Sequence, residues 1–416
     1  MILSSEYKEK PTDFTRKRKI GFKGILVSIL TSLKRSLSVE IDQFIKKLDV
    51  EDTFEYTKQA YSQARQNLKP EAFIELNNVI LEETYNNHFK TFNNYRLIAL
   101  DGSTIQLPNT KEMRDRYGVF IEGRANYPAA RICLAYDVLN EIILAGKMFS
   151  YNESEQIAPF EIIPMIKDSN VDDIFIFDRG FPSVKLILLL NSLKKDYIFR
   201  VSSSFLREVN EFTKGTDIDK TITIDISKRR IATHRIKDIN EPVQFDLRCI
   251  RIPLETEDEI LITSLGADVM NVEDFKALYN LRWNIETKYN SLKNVLELEN
   301  FTGDTDRAIQ QDFYASIYIS NLASMMVADA QDEYDKNQGD KQKKHEYKIN
   351  QRMAIAYLKN DLINILLQDD PHKASKLYEK FVKKLSKQVV PIRKDRKFER
   401  PKGHKPKYGR TNKKIL

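Results

Sequence analysis

Six residues of this chain could do chemistry together if the fold gathered them: Asp101, Asp178 and Glu286 as acids, with Tyr279, Arg282 and Lys293 on the same stretch as the glutamate. In ALYNLRWNIETKYNSLKNVLE (277–297), a helix advances each residue by about 100°, which puts Tyr279, Arg282, Glu286 and Lys293 at roughly 0°, −60°, −20° and −40°. They share one narrow face. Leu278, Leu281, Ile285, Leu292 and Leu296 gather at roughly 200° to 260°, the apolar stripe of a helix packed on a core. A charged stripe opposite an apolar one is most often a solvated surface, so the spacing alone selects no function.

Three acids on separate elements suit hard divalent cations. Mg²⁺ takes oxygen ligands, retains several waters and needs few carboxylates when a substrate phosphate completes its shell. Two such ions ~4 Å apart can activate an attacking oxygen and stabilise a leaving one in phosphoryl transfer. Arg282 can fork two bonds onto phosphate oxygens, Lys293 offers a mobile point charge and Tyr279 a hydroxyl. Acids alone are weak evidence in a chain with 60 Asp and Glu. Asp172 and Asp173 lie at a strand entry and are set aside as ordinary charged residues. Arg179, next to Asp178, could touch a substrate or brace the site.

Other chemistries find no support. His88, His234, His345, His372 and His404 are scattered, without HxxxH spacing or a cysteine partner, so neither a zinc site nor a Ser-His-Asp triad is indicated. Cys133 and Cys249 are the only cysteines and both lie in apolar, strand-like runs, which fits a reducing cytosol better than a disulfide framework. No GxxxxGK[ST] motif suggests ATP use.

The elements that must position these residues can be read from pattern. Residues 22–90 carry helical periodicity throughout. Within them TFEYTKQAYSQARQNL resembles either a recognition helix or an ordinary bundle helix. NYRLIALDGSTIQL reads as a strand ending at Asp101, ARICLAYDVLN and EIILAGKMFS as a hairpin joined at 139–141, and DDIFIFDRG as a strand ending at Asp178. With helices at SEQIAPFEIIPMIKD and FPSVKLILLLNSLKK and a strand at DYIFRVS, the order β-β-β-α-β-α-β implies an α/β mixed sheet covered by helices. KTITIDI, RRIATHRI, VQFDLRCIRIPL and EILITSL then read as a β-rich insertion without helices. The expected division is 1–90 helical, 91–202 first core segment, 203–265 β-rich insertion, 266–330 second core segment with the 277–297 helix, and 331–416 helical with a basic tail.

That order, with Asp on the first strand, Asp at the end of the fourth and an acid on a later helix, resembles the ribonuclease-H-like fold of integrases and DDE transposases. Tyr-x2-Arg-x3-Glu-x6-Lys is the signature of the insertion-sequence-4 family, and Tyr279, Arg282, Glu286 and Lys293 match it at every position. LDGS at Asp101, FDRGFPS at Asp178 and the β-rich insertion strengthen the likeness, which covers roughly residues 91 to 330. The resemblance implies a cut-and-paste transposase in which Asp101, Asp178 and Glu286 hold two Mg²⁺ ions, with Mn²⁺ able to substitute. Tyr279, Arg282 and Lys293 would contact DNA phosphates. Trp283, the only tryptophan, falls at about +40°, beside that face. Family members that cut through a hairpin stack a flipped base on such an aromatic. The implied partners are double-stranded DNA, as terminal inverted repeats and target, and a second copy of the chain in a synaptic dimer.

Charge agrees with a nucleic-acid partner only at the carboxyl end. Residues 391–416 hold 11 Lys or Arg against Asp395 and Glu399, a local +9, so the rest of the chain sums to about −2 within a total of +7. Such tails commonly lie on phosphates. TRKRK (15–19) supplies a second basic cluster. The first twenty residues lack a leader's apolar core, and runs such as GILVSIL and VKLILLLNSL fall short of the ~20 residues of a membrane span, so a cytoplasmic protein is expected. Two rivals remain: a DNA-binding relative that holds ends without cutting, and a carboxylate enzyme such as a glycosidase, which needs two acids and no cationic face.

Overall fold

In the computed structural model, residues 6–15, 20–48, 56–87, 89–233, 241–253, 257–338 and 345–392 are described. Most of TRKRK, nearly all of the basic tail, and His88, His234 and His404 lie outside them.

Four helices come first: α1 (Phe22–Thr31), α2 (Leu37–Lys47), α3 (Lys58–Gln66) and α4 (Glu71–Asn86). The sheet then begins with β1 (Tyr95–Gln106), α5 (Lys111–Tyr117), β2 (Val119–Glu122), β3 (Ala125–Asp137) and β4 (Ile142–Ser150). A broken helical segment with α6 (Ala158–Ile162) at its centre leads to β5 (Asp172–Phe177), α7 (Val184–Ser192) and β6 (Asp196–Val201). Next come α8 (Arg207–Lys214), β7 (Asp219–Ile226), α9 (Lys228–Thr233), β8 (Val243–Ile252) and β9 (Glu259–Thr263). The chain continues with α10 (Val272–Leu281), α11 (Trp283–Asn294), α12 (Asp306–Gln338), β10 (Tyr347–Ile349), α13 (Gln351–Leu366), α14 (Pro371–Leu385) and β11 (Val389–Pro391).

Nine strands form one mixed sheet in the order β4-β3-β1-β5-β6-β9-β8-β7, with β2 paired to the first residues of β3. β4 and β1 each run antiparallel to β3 between them, β1, β5 and β6 are parallel, and the pairs β6–β9, β9–β8 and β8–β7 are antiparallel again. The first five strands in this order have the ribonuclease-H-like arrangement expected from the sequence. Both faces are covered, as a sheet with parallel strands at its centre requires. Successive residues of β1 alternate between the two cores: Leu97 and Ala99 pack with α1, α3, α4 and α10 to α14, whereas Ile98 and Leu100 pack with α6 to α9.

Three expectations need correction. β1 does not end at Asp101 but runs to Gln106, because β3 pairs with it as far as Gln106 while β5 pairs with it only to Leu100. Asp101 therefore sits where one neighbour has stopped and the other continues. Second, RRIATHRI does not open as a strand: Lys228–Thr233 is helical, with Ile231 buried and Arg230 forked onto Glu208 by two 2.9 Å bonds. With α8 it adds helices to a stretch expected to be free of them. The strands β7 to β9 do not form a sheet of their own; β9 pairs with β6, so they extend the central sheet. Third, residues 277–297 are two helices that meet at Arg282. The Arg282 amide bonds the Tyr279 carbonyl and the Ile285 amide the Arg282 carbonyl, both three residues back at 3.1 Å, a 3₁₀ tightening between two α-helices.

Candidate active site

Asp101 and Asp178 are brought together by strand register. Leu100 of β1 pairs with Phe177 of the parallel β5, so each aspartate is the next residue on an adjacent strand. Asp101 lies opposite Leu134 of β3, on the face where α11 packs through Ile285, Tyr289 and Leu292. Its Oδ1 accepts from the Gly102 amide at 2.9 Å. Burial pushes its pKa up to about 6; the Gly102 amide and the Arg282 charge oppose this, while Glu155 and Glu286 add to it.

The signature residues turn inward rather than toward solvent. Tyr279 and Arg282 are each only 2% exposed, and the solvent side of these helices is taken by Asn280, Trp283, Asn284, Thr287 and Asn290. The Tyr279 hydroxyl donates to Asp178 Oδ1 at 3.1 Å. Arg282 Nη2 stands 3.5 Å from Glu286 Oε1 and 3.9 Å from Asp178 Oδ2, so its guanidinium lies between two of the three acids. Burial works against its proton, but Tyr279, Asp178, Asp101 and Glu286 outweigh it and its pKa is raised. Arg282 Nε is buried and has no hydrogen-bond partner.

Lys293 is directed elsewhere. Its ammonium donates to Ser103 Oγ and to the Thr104 carbonyl, both at 2.7 Å, where β1 extends past Asp101. Tyr289, one turn earlier, donates to the Asp101 carbonyl at 2.6 Å. Trp283 is 45% exposed and lies under the Arg282 guanidinium, 4.8 Å from its ring centroid. Arg179 is exposed beside Asp178. The expectation for Asp172 and Asp173 holds for the exposed Asp172. Asp173 is instead buried and bonded to Arg96 at 2.7 Å and Lys195 at 2.9 Å.

Several residues of this neighbourhood escaped the sequence reading. Arg200 on β6 lies 3.8 Å from Asp178 Oδ1 and 2.9 Å from Glu259 Oε1. The latter is a charge contact poorly aligned for a hydrogen bond, since Arg200 Nε counts as unsatisfied. Glu155 overhangs Gly102, and Tyr289 and Ser103 fix β1 to α11. The one available signal was the glycine one or two residues after each aspartate, where close approach of another group is a standard reason for glycine.

The donor set suits a hard cation: carboxylate oxygens, with Asp178 and Glu286 each a little over a third exposed. Among the described residues no group of three acids, histidines or cysteines already encloses one point. A hydrated Mg²⁺ or Mn²⁺ held by pairs of carboxylates fits this arrangement, because such ions keep several of their waters.

The sheet order defines a ribonuclease-H-like fold, with Asp101 and Asp178 side by side on its two adjacent parallel strands. The family model "Transposase DDE domain" matches residues 93–322, more than half of the chain, and the chain belongs to that family. Among solved structures, a piggyBac transposase synaptic complex with hairpin DNA aligns over 91% of this chain and 78% of that one. Its identity is 11% and its TM-score 0.43, a likeness too loose to carry any argument. No curated protein matches. No helix among the described residues is long and apolar enough to cross a membrane.

Proposed function

We propose that this chain is the transposase of a bacterial insertion sequence of the insertion-sequence-4 type, cutting its element's ends and joining them to target DNA. The supporting observation is the convergence of the signature on the acids: Tyr279 and Arg282 both contact Asp178, Arg282 also reaches Glu286, and Asp101 stands on the adjacent strand.

Asp101, Asp178 and Glu286 would hold the metal, two Mg²⁺ ions with Mn²⁺ as substitute. Bound divalent ions supply activation of the attacking oxygen and stabilisation of the leaving one. The chain's own groups do the rest. Arg282, with one guanidinium edge on the acids and Nε uncommitted, is placed to steady a phosphate brought beside them. Tyr279 holds Asp178 in orientation through its hydroxyl. Lys293, about two turns after Glu286, keeps the strand beyond Asp101 on α11. The exposed ring of Trp283 offers a surface on which an unpaired base can stack, which suits a hairpin route. Exposed Arg179 adds a phosphate contact. Two ends must be held at once, so the working form is a homodimer on paired inverted repeats, in the cytoplasm on the nucleoid.

The test is cleavage of DNA carrying the element's ends, in Mg²⁺ or Mn²⁺ against EDTA, for the parent and for Asp101→Ala, Asp178→Ala and Glu286→Ala. The parent should cut only with metal, and the three variants should bind DNA without cutting it. A parent that binds but never cuts would make the chain a DNA-binding relative without catalysis. Metal-independent activity on a non-nucleic substrate would favour a carboxylate hydrolase instead.

A further inference from the structure

Glu155 opens a 3₁₀ turn after β4, capped by Ser154, whose Oγ accepts from the Gln156 amide. The side chain, 36% exposed, reaches back over the sheet. A Cβ built on Gly102 would stand 2.1 Å from Glu155 Oε1, and one on Gly180 would stand 3.6 Å from Oε2. One carboxylate thus spans the backbone just beyond Asp101 and just beyond Asp178. Glycine inside a strand costs stability and often marks a close approach of another group; Gly102 lies within β1, and the approaching group is this carboxylate.

Register shows the direction of approach. Gly102 pairs with Cys133, which packs with α6 and α7, whereas Asp101 pairs with Leu134 on the α11 side. Glu155 and Glu286 therefore reach the two aspartates from opposite faces of the sheet.

The Glu155 carboxylate is 36% exposed, as open to solvent and to an entering ion as that of Asp178. The cation nearest to Glu155 is Arg131, with Nη1 4.0 Å from Oε2, and among the described residues the Glu155 carboxylate accepts no hydrogen bond. An acid held beside two others without a close cation repels them, and a bound cation relieves that repulsion. On the α11 side, Arg282 Nε is buried without a hydrogen-bond partner while Nη2 lies 3.5 Å from Glu286 and 3.9 Å from Asp178.

We propose that Glu155 is a fourth acidic residue of the site and shares with Asp101 the hold on one divalent cation. The proposal rests on reading Asp101 as a metal-binding residue and extends that set beyond the three acids of the signature. A Mg²⁺ that keeps its waters needs only one or two carboxylates, so Glu155 can act directly or through a retained water.

The experiment is Mn²⁺ binding to the full chain without DNA, with free Mn²⁺ read by electron paramagnetic resonance. The parent is compared with Glu155→Gln, Asp101→Asn and Glu161→Gln, the last removing an acid that pairs with Lys147. Glu155→Gln should weaken Mn²⁺ binding about ten-fold, and Glu161→Gln should leave it unchanged. Gly102→Ala, which takes the space of Oε1, should also weaken it. If Glu155→Gln binds as the parent does while Asp101→Asn does not, Glu155 is no ligand, and the reading of the three acids stands. If Asp101→Asn also binds as the parent does, that reading falls and this one with it. Should Glu155→Gln not fold, Glu155→Asp keeps the charge but withdraws the carboxylate; unaltered Mn²⁺ affinity there would overturn the proposal equally.

Discussion

The ammonium of Lys293 lies 2.7 Å from Ser103 Oγ and bonds the Thr104 carbonyl at the same distance, so the last residue of the signature holds the strand that carries the first acid. With Tyr289 on the Asp101 carbonyl, it fastens α11 along β1 from residue 101 to 104. Hydrogen bonds to a charged group contribute more than neutral ones, typically about 1.5–3 kcal/mol. Lys293→Ala is therefore expected to lower stability by about 1–3 kcal/mol in urea denaturation, in addition to any loss of cleavage. A variant as stable as the parent would show that Lys293 serves only DNA.

Trp283 presents the opposite balance. It is 45% exposed and stacked under Arg282, so Trp283→Ala should lower stability by only about 1 kcal/mol, largely the cation–π contact. If a flipped base stacks on the ring, about 1–3 kcal/mol of base contact is lost, equivalent to roughly five- to 150-fold in the step that uses it. The affected step should be hairpin formation or opening, with first-strand nicking spared. Comparable loss in nicking and hairpin formation, measured on end-labelled DNA, would reject stacking.

Much of the core was legible because its strands are buried on both faces and read as apolar runs, as DDIFIF does before Asp178. The β3–β4 hairpin was legible from the interruption at 139–141, where Glu141 adopts a positive φ of 57°. Asp101 was misplaced at a strand end because the polar run DGST looks like a turn; it is strand because β3 alone supplies its partners. Of the four residues the helical wheel grouped, Tyr279, Arg282 and Glu286 stand at Asp178 while Lys293 turns onto β1. A wheel gives direction around an axis and not what lies there, so the burial of Tyr279 and Arg282 could not be read. Glu155 was invisible because its position depends on a glycine 53 residues earlier in the chain.

Arg65 bears on α3, which in sequence could be either a recognition helix or an ordinary bundle helix. It is 3% exposed and donates to Gln311 Oε1 (2.6 Å), Thr302 Oγ1 (2.5 Å), the Ala308 carbonyl (2.8 Å) and Asp312 Oδ1 (2.8 Å). Removing one partner of a buried charge pair costs about 3–5 kcal/mol when the other charge is left alone; the buried Lys34 ammonium, 3.7 Å from Asp312, still faces it here, so the lower end applies. Arg65→Ala should lose stability of that order. Exposed Lys58, Gln59, Ser62 and Gln63 are the α3 residues left to meet DNA. Unchanged stability with weakened DNA binding in Arg65→Ala would give the arginine a DNA role.

Lys359 on α13 gives a pH signature. It is 8% exposed, and its ammonium donates to the Ser32 carbonyl at 2.6 Å. Burial, helped by the nearby Lys34 charge, pushes its pKa down to about 8, against ~10.4 in an unfolded chain. Below that folded pKa both states hold the proton, and the fold bears the full cost of burying a charge. Between the two values only the unfolded chain keeps the proton, so the stability of the fold rises with pH across this window. The rise amounts to about 3 kcal/mol. Other lysines and tyrosines titrate in the same range, so the informative quantity is the difference between Lys359→Met and the parent. The variant should gain most relative to the parent near neutral pH, and that advantage should shrink as pH climbs toward 10. Urea midpoints at three pH values suffice, and a difference that stays flat across them would mean that Lys359 is neutral already at pH 7 or never loses its proton in the fold.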